Sequence, residues 1–270
     1  MDRDRSRGRA PVIVMPEASG DQPVMMEREV FELMAAHEDR HWWFVGRRAV
    51  IRALLDRITL APDASILEAG CGTGGNLYLL EERGSVSAFE PSDDARDLLR
   101  QKDPHRVIED GELPARLPFP QSSFDLVVAL DVLEHIADDR KALLALVGLT
   151  RPGGFLLLTV PAHPALWGSH DLRLHHVRRY ARRDLFALIE ATPVDVVSFT
   201  AFNVLLAPIA VVLRLCERYV GTHIGNQERM PPSVVNRVFA GLFAAERHLI
   251  RRRNLPWGLS YAVILQRVET

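Results

Sequence analysis

Cysteine is scarce in this 270-residue chain: Cys71 and Cys216 are too few for a disulfide framework and fit a reducing compartment. Glycine and proline are limited to 17 each, which excludes collagen-like and low-complexity classes. No sign of charge dominates either. Lysine and arginine total 33 against 35 acidic residues, a net charge of −2, so bulk electrostatics makes no case for a nucleic-acid partner. Long apolar runs are missing too. The most apolar stretch, Ala201–Leu215, is broken by Asn203, Pro208 and Arg214 and falls short of the roughly 20 residues that cross a bilayer. At the start, charged Met1–Arg9 precedes an apolar run, Ala10–Met15, that stops at Pro16, too short for a secretory signal. These absences lead to an expectation of cytoplasmic placement, with no transmembrane segment and at most peripheral contact with a membrane.

What remains is ordinary globular composition, 47% hydrophobic and 25% charged, in a chain long enough to bury a core unaided. Residues 1–24 offer little to bury and are expected to form a disordered tail. A helical cap is expected over residues 25–60, because Met26–Ala36 and Val45–Ile58 carry helical apolar spacing around His41-Trp42-Trp43-Phe44. From Ser65 the text changes to short β-rich runs at Ser65–Ala69, Val86–Glu90, Arg106–Glu109, Asp125–Leu130, Phe155–Val160, Val194–Thr200 and Tyr261–Arg267. Helical patterns fall between the early runs, at Asn76–Arg83, Ser92–Lys102 and Lys141–Leu149. That alternation predicts an α/β fold, a mostly parallel sheet with helices on both faces, over residues 61–200. Residues 201–258 break the rhythm as a helical insertion, with amphipathic Val234–Arg252, before a final strand in 259–270.

The first strand runs into Gly70-Cys71-Gly72-Thr73-Gly74, a turn that lets a ligand approach the backbone. Glu90 follows twenty residues after Gly70, at the end of the next strand, where a carboxylate can accept both hydroxyls of a ribose. The run Ile66-Leu67-Glu68-Ala69-Gly70-Cys71-Gly72-Thr73-Gly74 resembles the nucleotide loop of class I S-adenosylmethionine-dependent methyltransferases. Leu117-Pro118-Phe119-Pro120, Phe124 to His135 and Arg151-Pro152-Gly153-Gly154 extend the resemblance over residues 40–200. It implies a Rossmann-like sheet of seven strands with the last antiparallel, and S-adenosylmethionine as the methyl donor. It further implies that Gly70 and Gly72, with Ala69, Cys71 and Asn76, line the methionine part, and that Glu68 braces the loop. Glu90 would hold the ribose, Pro91 would lie near the adenine, and Asp110-Gly111 would meet the adenine edge. Leu130 and Asp131 would sit by the methionine, with Arg47 reaching its carboxylate.

Asp131-Val132-Leu133-Glu134-His135 is the sharpest chemical cluster, its acid and base side chains sharing a face if the segment is helical. The segment resembles that of the ubiquinone-pathway O-methyltransferases, where an acid-x-x-Glu-His set is associated with a divalent metal. Glu134 and His135 can brace the site, act on the acceptor, or hold a metal. His135 is the first choice of base, and Tyr180 joins Glu134 and His135 among the catalytic candidates. After the fifth strand, His163, Trp167, His170, His175, His176, Arg178 and Arg179 form a basic and aromatic set. With Trp43 they are the expected acceptor contacts, suited to an anionic small molecule with an apolar part, such as a prenyl diphosphate or a polyketide acid. Two alternatives stay open: a quinone-type O-methyltransferase, or a catalytically silent donor-binding partner or regulatory subunit. RNA methylation is disfavoured, since no Asn/Asp-Pro-Pro-Tyr motif is present.

Overall fold

The structure, a computed structural model, describes residues 26–220 and 230–269. The expected tail over residues 1–24 lies outside the described residues. Two helices, α1 (Arg28–His37) and α2 (Trp42–Leu55), come first. The core then runs β1 (Ser65–Ala69), α3 (Leu77–Glu81), β2 (Ser85–Glu90), α4 (Asp93–Lys102), β3 (Glu109–Asp110), β4 (Phe124–Leu130) and α5 (Asp139–Leu149). It continues with β5 (Thr150–Pro161), α6 (Ser169–Arg173), α7 (Arg182–Glu190) and β6 (Val194–Phe202). The insertion supplies α8 (Ala207–Val220) and α9 (Ser233–Ile250), and β7 (Ser260–Arg267) closes the sheet.

The seven strands lie in the order β3-β2-β1-β4-β5-β7-β6. β1 pairs in parallel with β2 and β4, as does β5 with β4, while β7 runs antiparallel between β5 and β6. Parallel strands covered on both faces are apolar at successive positions, as Leu126-Val127-Val128-Ala129 shows. Because side chains alternate across a strand, Leu67, Val127, Leu158 and Val263 bury towards α5 and α7. Ile66, Leu126, Leu157 and Ile264 bury towards α2 and α9.

Three expectations need correcting. The second helix starts earlier than Val45: α2 begins at Trp42, and His41 caps it by accepting the Trp43 N–H at 3.3 Å. The third strand shrinks to Glu109–Asp110 instead of Arg106–Glu109, because Arg106 turns away to pair with Glu81 and Asp103. The segment Asp131–His135 is not a regular helix. Asp131 takes a positive φ of 59°, and only Leu133–His135 forms a single 3₁₀ turn.

The insertion packs back on the N-terminal helices. Gly46 of α2 meets Phe243 of α9 so closely that an added Cβ would stand 2.5 Å from the ring. Asn236 of α9 accepts the Trp42 N–H at 2.8 Å and donates to the Arg40 carbonyl at 2.7 Å, tying off the start of α2. Glu246 of α9 accepts the backbone N–H groups of Asn203, Val204 and Leu205, which secures the turn from β6 into α8.

Candidate active site

A cavity of about 1440 Å³ opens at the carboxyl ends of β1, β2 and β4. Strand order reverses between β1 and β4, and ligands of open α/β sheets lie at such a point.

At the first end of the cavity the glycine loop turns with positive φ at Gly70, Gly72 and Gly74. A Cβ on Gly74 would strike Leu99 at 2.6 Å, whereas one on Gly72 would point into open space, the side a ligand can occupy. Glu90 accepts the Gly72 N–H at 2.9 Å and the Ser92 N–H at 3.0 Å, so it organises the loop as well as facing the cavity. Burial pushes its carboxyl up against the pull of those two donors. Glu68 accepts from Asn76 at 3.0 Å through one oxygen, and its other oxygen is buried without a partner. Burial lifts its pKa to about 7.

Arg47 lines the cavity with its guanidinium already engaged. It pairs with Asp131 at 2.6 Å, and Thr159 donates to the other Asp131 oxygen at 2.8 Å. Its Nε is buried and unpartnered beside the cavity. These orphaned atoms of Glu68 and Arg47 suit the ammonium and carboxylate of an amino acid, and the open side of Gly72 suits the rest of such a ligand. One residue of the cavity lining was not foreseen. Glu38, at the end of α1, is buried, accepts the Thr73 hydroxyl at 2.7 Å and pairs with Lys102, closing the cap over the glycine loop. No motif flagged it, since its partners are 35 and 64 residues away.

The second end gathers Glu134, His135, His170, His175, His176 and Arg179 from the segments after β4 and β5. Glu134 is fully buried, both carboxyl oxygens lack a partner, and burial followed by Asp131 pushes its pKa well up. His135 is driven down to about 4 by burial and then by His176, whose ring lies edge-on at 4.8 Å. His170 is driven to about 3, again chiefly by burial. His176 differs in its setting. Its Nδ1 lies 2.9 Å from Asp171, which also accepts from Arg179 at 2.7 Å and from the Gly168 N–H at 2.9 Å. Burial would raise the Asp171 carboxyl, but His176 and Arg179 together hold it below the usual range.

The cavity is also lined by Trp43, Cys71, Asn76, Pro91 and Leu130, while Ala69 is buried in β1 beneath the loop. Several expected contacts fall outside its lining. Asp110 is spent on Arg96 and Arg116, Gly111 packs on Phe89 and Pro118, and Glu112, Leu113 and Pro114 reach the cavity in their place. Tyr180 is buried with its hydroxyl donating to Asp139 at 2.9 Å, and burial raises its pKa, which leaves it no catalytic access. Arg178 pairs with the same Asp139. His163 stacks on Trp257 at 5.6 Å, and Trp167 ends a 3₁₀ turn outside the lining.

A family model described as a methyltransferase domain matches residues 42–199, more than half the chain. Two curated relatives carry the name of a probable S-adenosylmethionine-dependent methyltransferase. One, from Mycolicibacterium smegmatis, is 28% identical over 58% of this chain and 61% of its own length. The match thus spans less than two thirds of that relative. The other, from Mycobacterium tuberculosis, is 29% identical over 73% of this chain and 71% of its own. Among solved structures, the fold resembles a geranyl diphosphate C-methyltransferase from Streptomyces coelicolor in complex with Mg²⁺, geranyl diphosphate and S-adenosyl-L-homocysteine. The TM-score is 0.53 at 14% identity, covering 82% of this chain and 79% of that one. Glycine loop, strand order and family match agree, and the chain belongs to the methyltransferase-domain family within the class I S-adenosylmethionine-dependent methyltransferases.

Proposed function

We propose that the protein transfers the methyl group of S-adenosylmethionine to a hydroxyl of a small, largely apolar acceptor. The observation that carries this reading is the Asp171–His176 pair at the acceptor end of the cavity. The donor supplies an already activated methyl when bound, so the chain's main task is to align two partners. A hydroxyl must also lose its proton, and an imidazole suits that step. Asp171 accepts from Nδ1 of His176, which leaves Nε2 as the proton acceptor and steadies the ring once it is charged. His135, at about 4, is too weak a base near neutral pH, so its part is to wall and orient His176. The role expected of His135 thereby passes to His176.

The acceptor's apolar character is supported by Trp42, Trp43, Leu206, Ile209, Leu213 and Phe239 along the wall. A strongly anionic acceptor such as a prenyl diphosphate loses support, because Arg178 and Arg179 are committed to Asp139 and Asp171. A metal-assisted variant has one observation in its favour: ligand atoms of Glu134, His135 and His176 lie within 4.8 Å of one another. Two imidazoles and a carboxylate would accept a divalent transition metal. The test is transfer of labelled methyl to a panel of apolar phenols and alcohols, with and without chelator. Transfer lost in His176→Asn but kept under chelator supports the imidazole base. Loss under chelator, restored by metal, supports the metal variant. Donor binding without transfer to any acceptor would move the chain to the silent, regulatory reading.

A further inference from the structure

α9 has apolar residues on both sides, yet only one side is covered. Phe243 and Ile250 bury against α2 and the sheet, while Val234 and Val238, one turn apart, are 62% and 52% exposed and Leu242 continues the same stripe. On α8, Val212 and Ile209 are 57% and 46% exposed. A helix apolar all round belongs in a core or against another apolar phase. The charge of this stretch is equally one-sided. Residues 201–258 contain eight arginines, three glutamates and no lysine or aspartate, so a chain of net charge −2 carries +5 here and −7 elsewhere. In α9 and the turn after it the single acid, Glu246, is buried on backbone N–H groups, while Arg247, Arg252 and Arg253 are exposed.

We propose that the exposed face of α8 and α9 docks on an anionic lipid surface. Exposed apolar side chains flanked by arginine are the two components of interfacial binding, one entering the acyl boundary and the other meeting the headgroups. Charge argues against a second copy of the chain, since Arg237, Arg247, Arg252 and Arg253 are exposed while the only acid of α9 is buried, so α9 offers no exposed carboxylate for a copy's arginines to meet. Position supports the membrane as well: Ile209, Pro231 and Phe239, from the same stretch, line the cavity. An acceptor dissolved in the bilayer would reach the cavity without crossing water. The docking itself rests on the exposed face and its charge, not on the identity of the acceptor.

The experiment is co-sedimentation of the full chain with vesicles of equimolar phosphatidylcholine and phosphatidylglycerol, against phosphatidylcholine alone. Binding to the anionic vesicles, weakened by salt, is expected. The double variant Val234→Asp/Val238→Asp should abolish it, and Arg252→Glu/Arg253→Glu should weaken it on the order of tenfold or more. None of these four residues lines the cavity, so affinity for S-adenosylhomocysteine should be retained and certifies that each variant is folded. No binding to anionic vesicles, or binding indifferent to both variants, overturns the proposal. A dimer in sedimentation analysis that Val238→Asp dissociates would likewise overturn it, assigning the face to a second copy.

Discussion

The two ends of one cavity, which we propose take the donor and the acceptor, are built in different ways. The donor end is held by backbone: a glycine turn directly after β1, and N–H groups of Gly72 and Ser92 fixed by Glu90. The acceptor end is held by side chains from separate segments, with a buried carboxylate, Asp171, binding His176, Arg179 and a backbone N–H together. Backbone geometry needs few particular residues at short spacing, so it leaves a motif. A side-chain network needs only that its members meet in space, so it leaves almost none.

The largest expected effect tests the acceptor end. His176→Asn should lower kcat by about 10²–10⁴-fold while S-adenosylhomocysteine affinity, read by calorimetry, stays constant. His135→Asn should cost far less, and the reverse ranking would restore His135 as the base. Next comes a contrast between adjacent arginines. Arg179→Ala leaves Asp171 buried without its charge partner and should destabilise the protein by about 3–5 kcal/mol in denaturant titration. Arg178→Ala, at a partly exposed pair, should cost about 1 kcal/mol or less, and equal losses would break the distinction.

At the donor end, Glu90→Ala should weaken S-adenosylhomocysteine binding by about 1–3 kcal/mol, through lost ligand contacts and a loosened loop together. Unchanged affinity would remove Glu90 from the donor site. The smallest effect is in pH. Glu68 carries its proton below about 7, and only the ionised form attracts the donor's ammonium. Donor affinity should therefore fall as pH drops from 8 to 6, and Glu68→Gln should flatten that dependence. A flat profile in the unmodified protein would sink this role for Glu68.

Much of the fold was legible. β1, the glycine loop and Glu90 were placed from spacing alone, because parallel strands and tight turns write local apolar and glycine signals. The start of α2 was misplaced, since the tryptophans' burial depends on α9, about 200 residues later. Tyr180 and Arg178 were misassigned for a related reason. Their density in the sequence suggested a ligand, but their partner, Asp139, sits about 40 residues earlier in α5. Glu38 was missed because one buried acid has no periodicity.

The sequence alone determined the sheet, the donor loop and the family, since these depend on residue type at short, regular spacing. Only the tertiary structure decided which charges are free to act. It paired Arg47 with Asp131, Arg178 with Asp139 and Arg179 with Asp171, and it left His176 oriented towards the cavity while His135 lost its basicity. It also left one side of α9 uncovered. Pairing and desolvation act over a few ångströms in space, and distance along the chain does not report them.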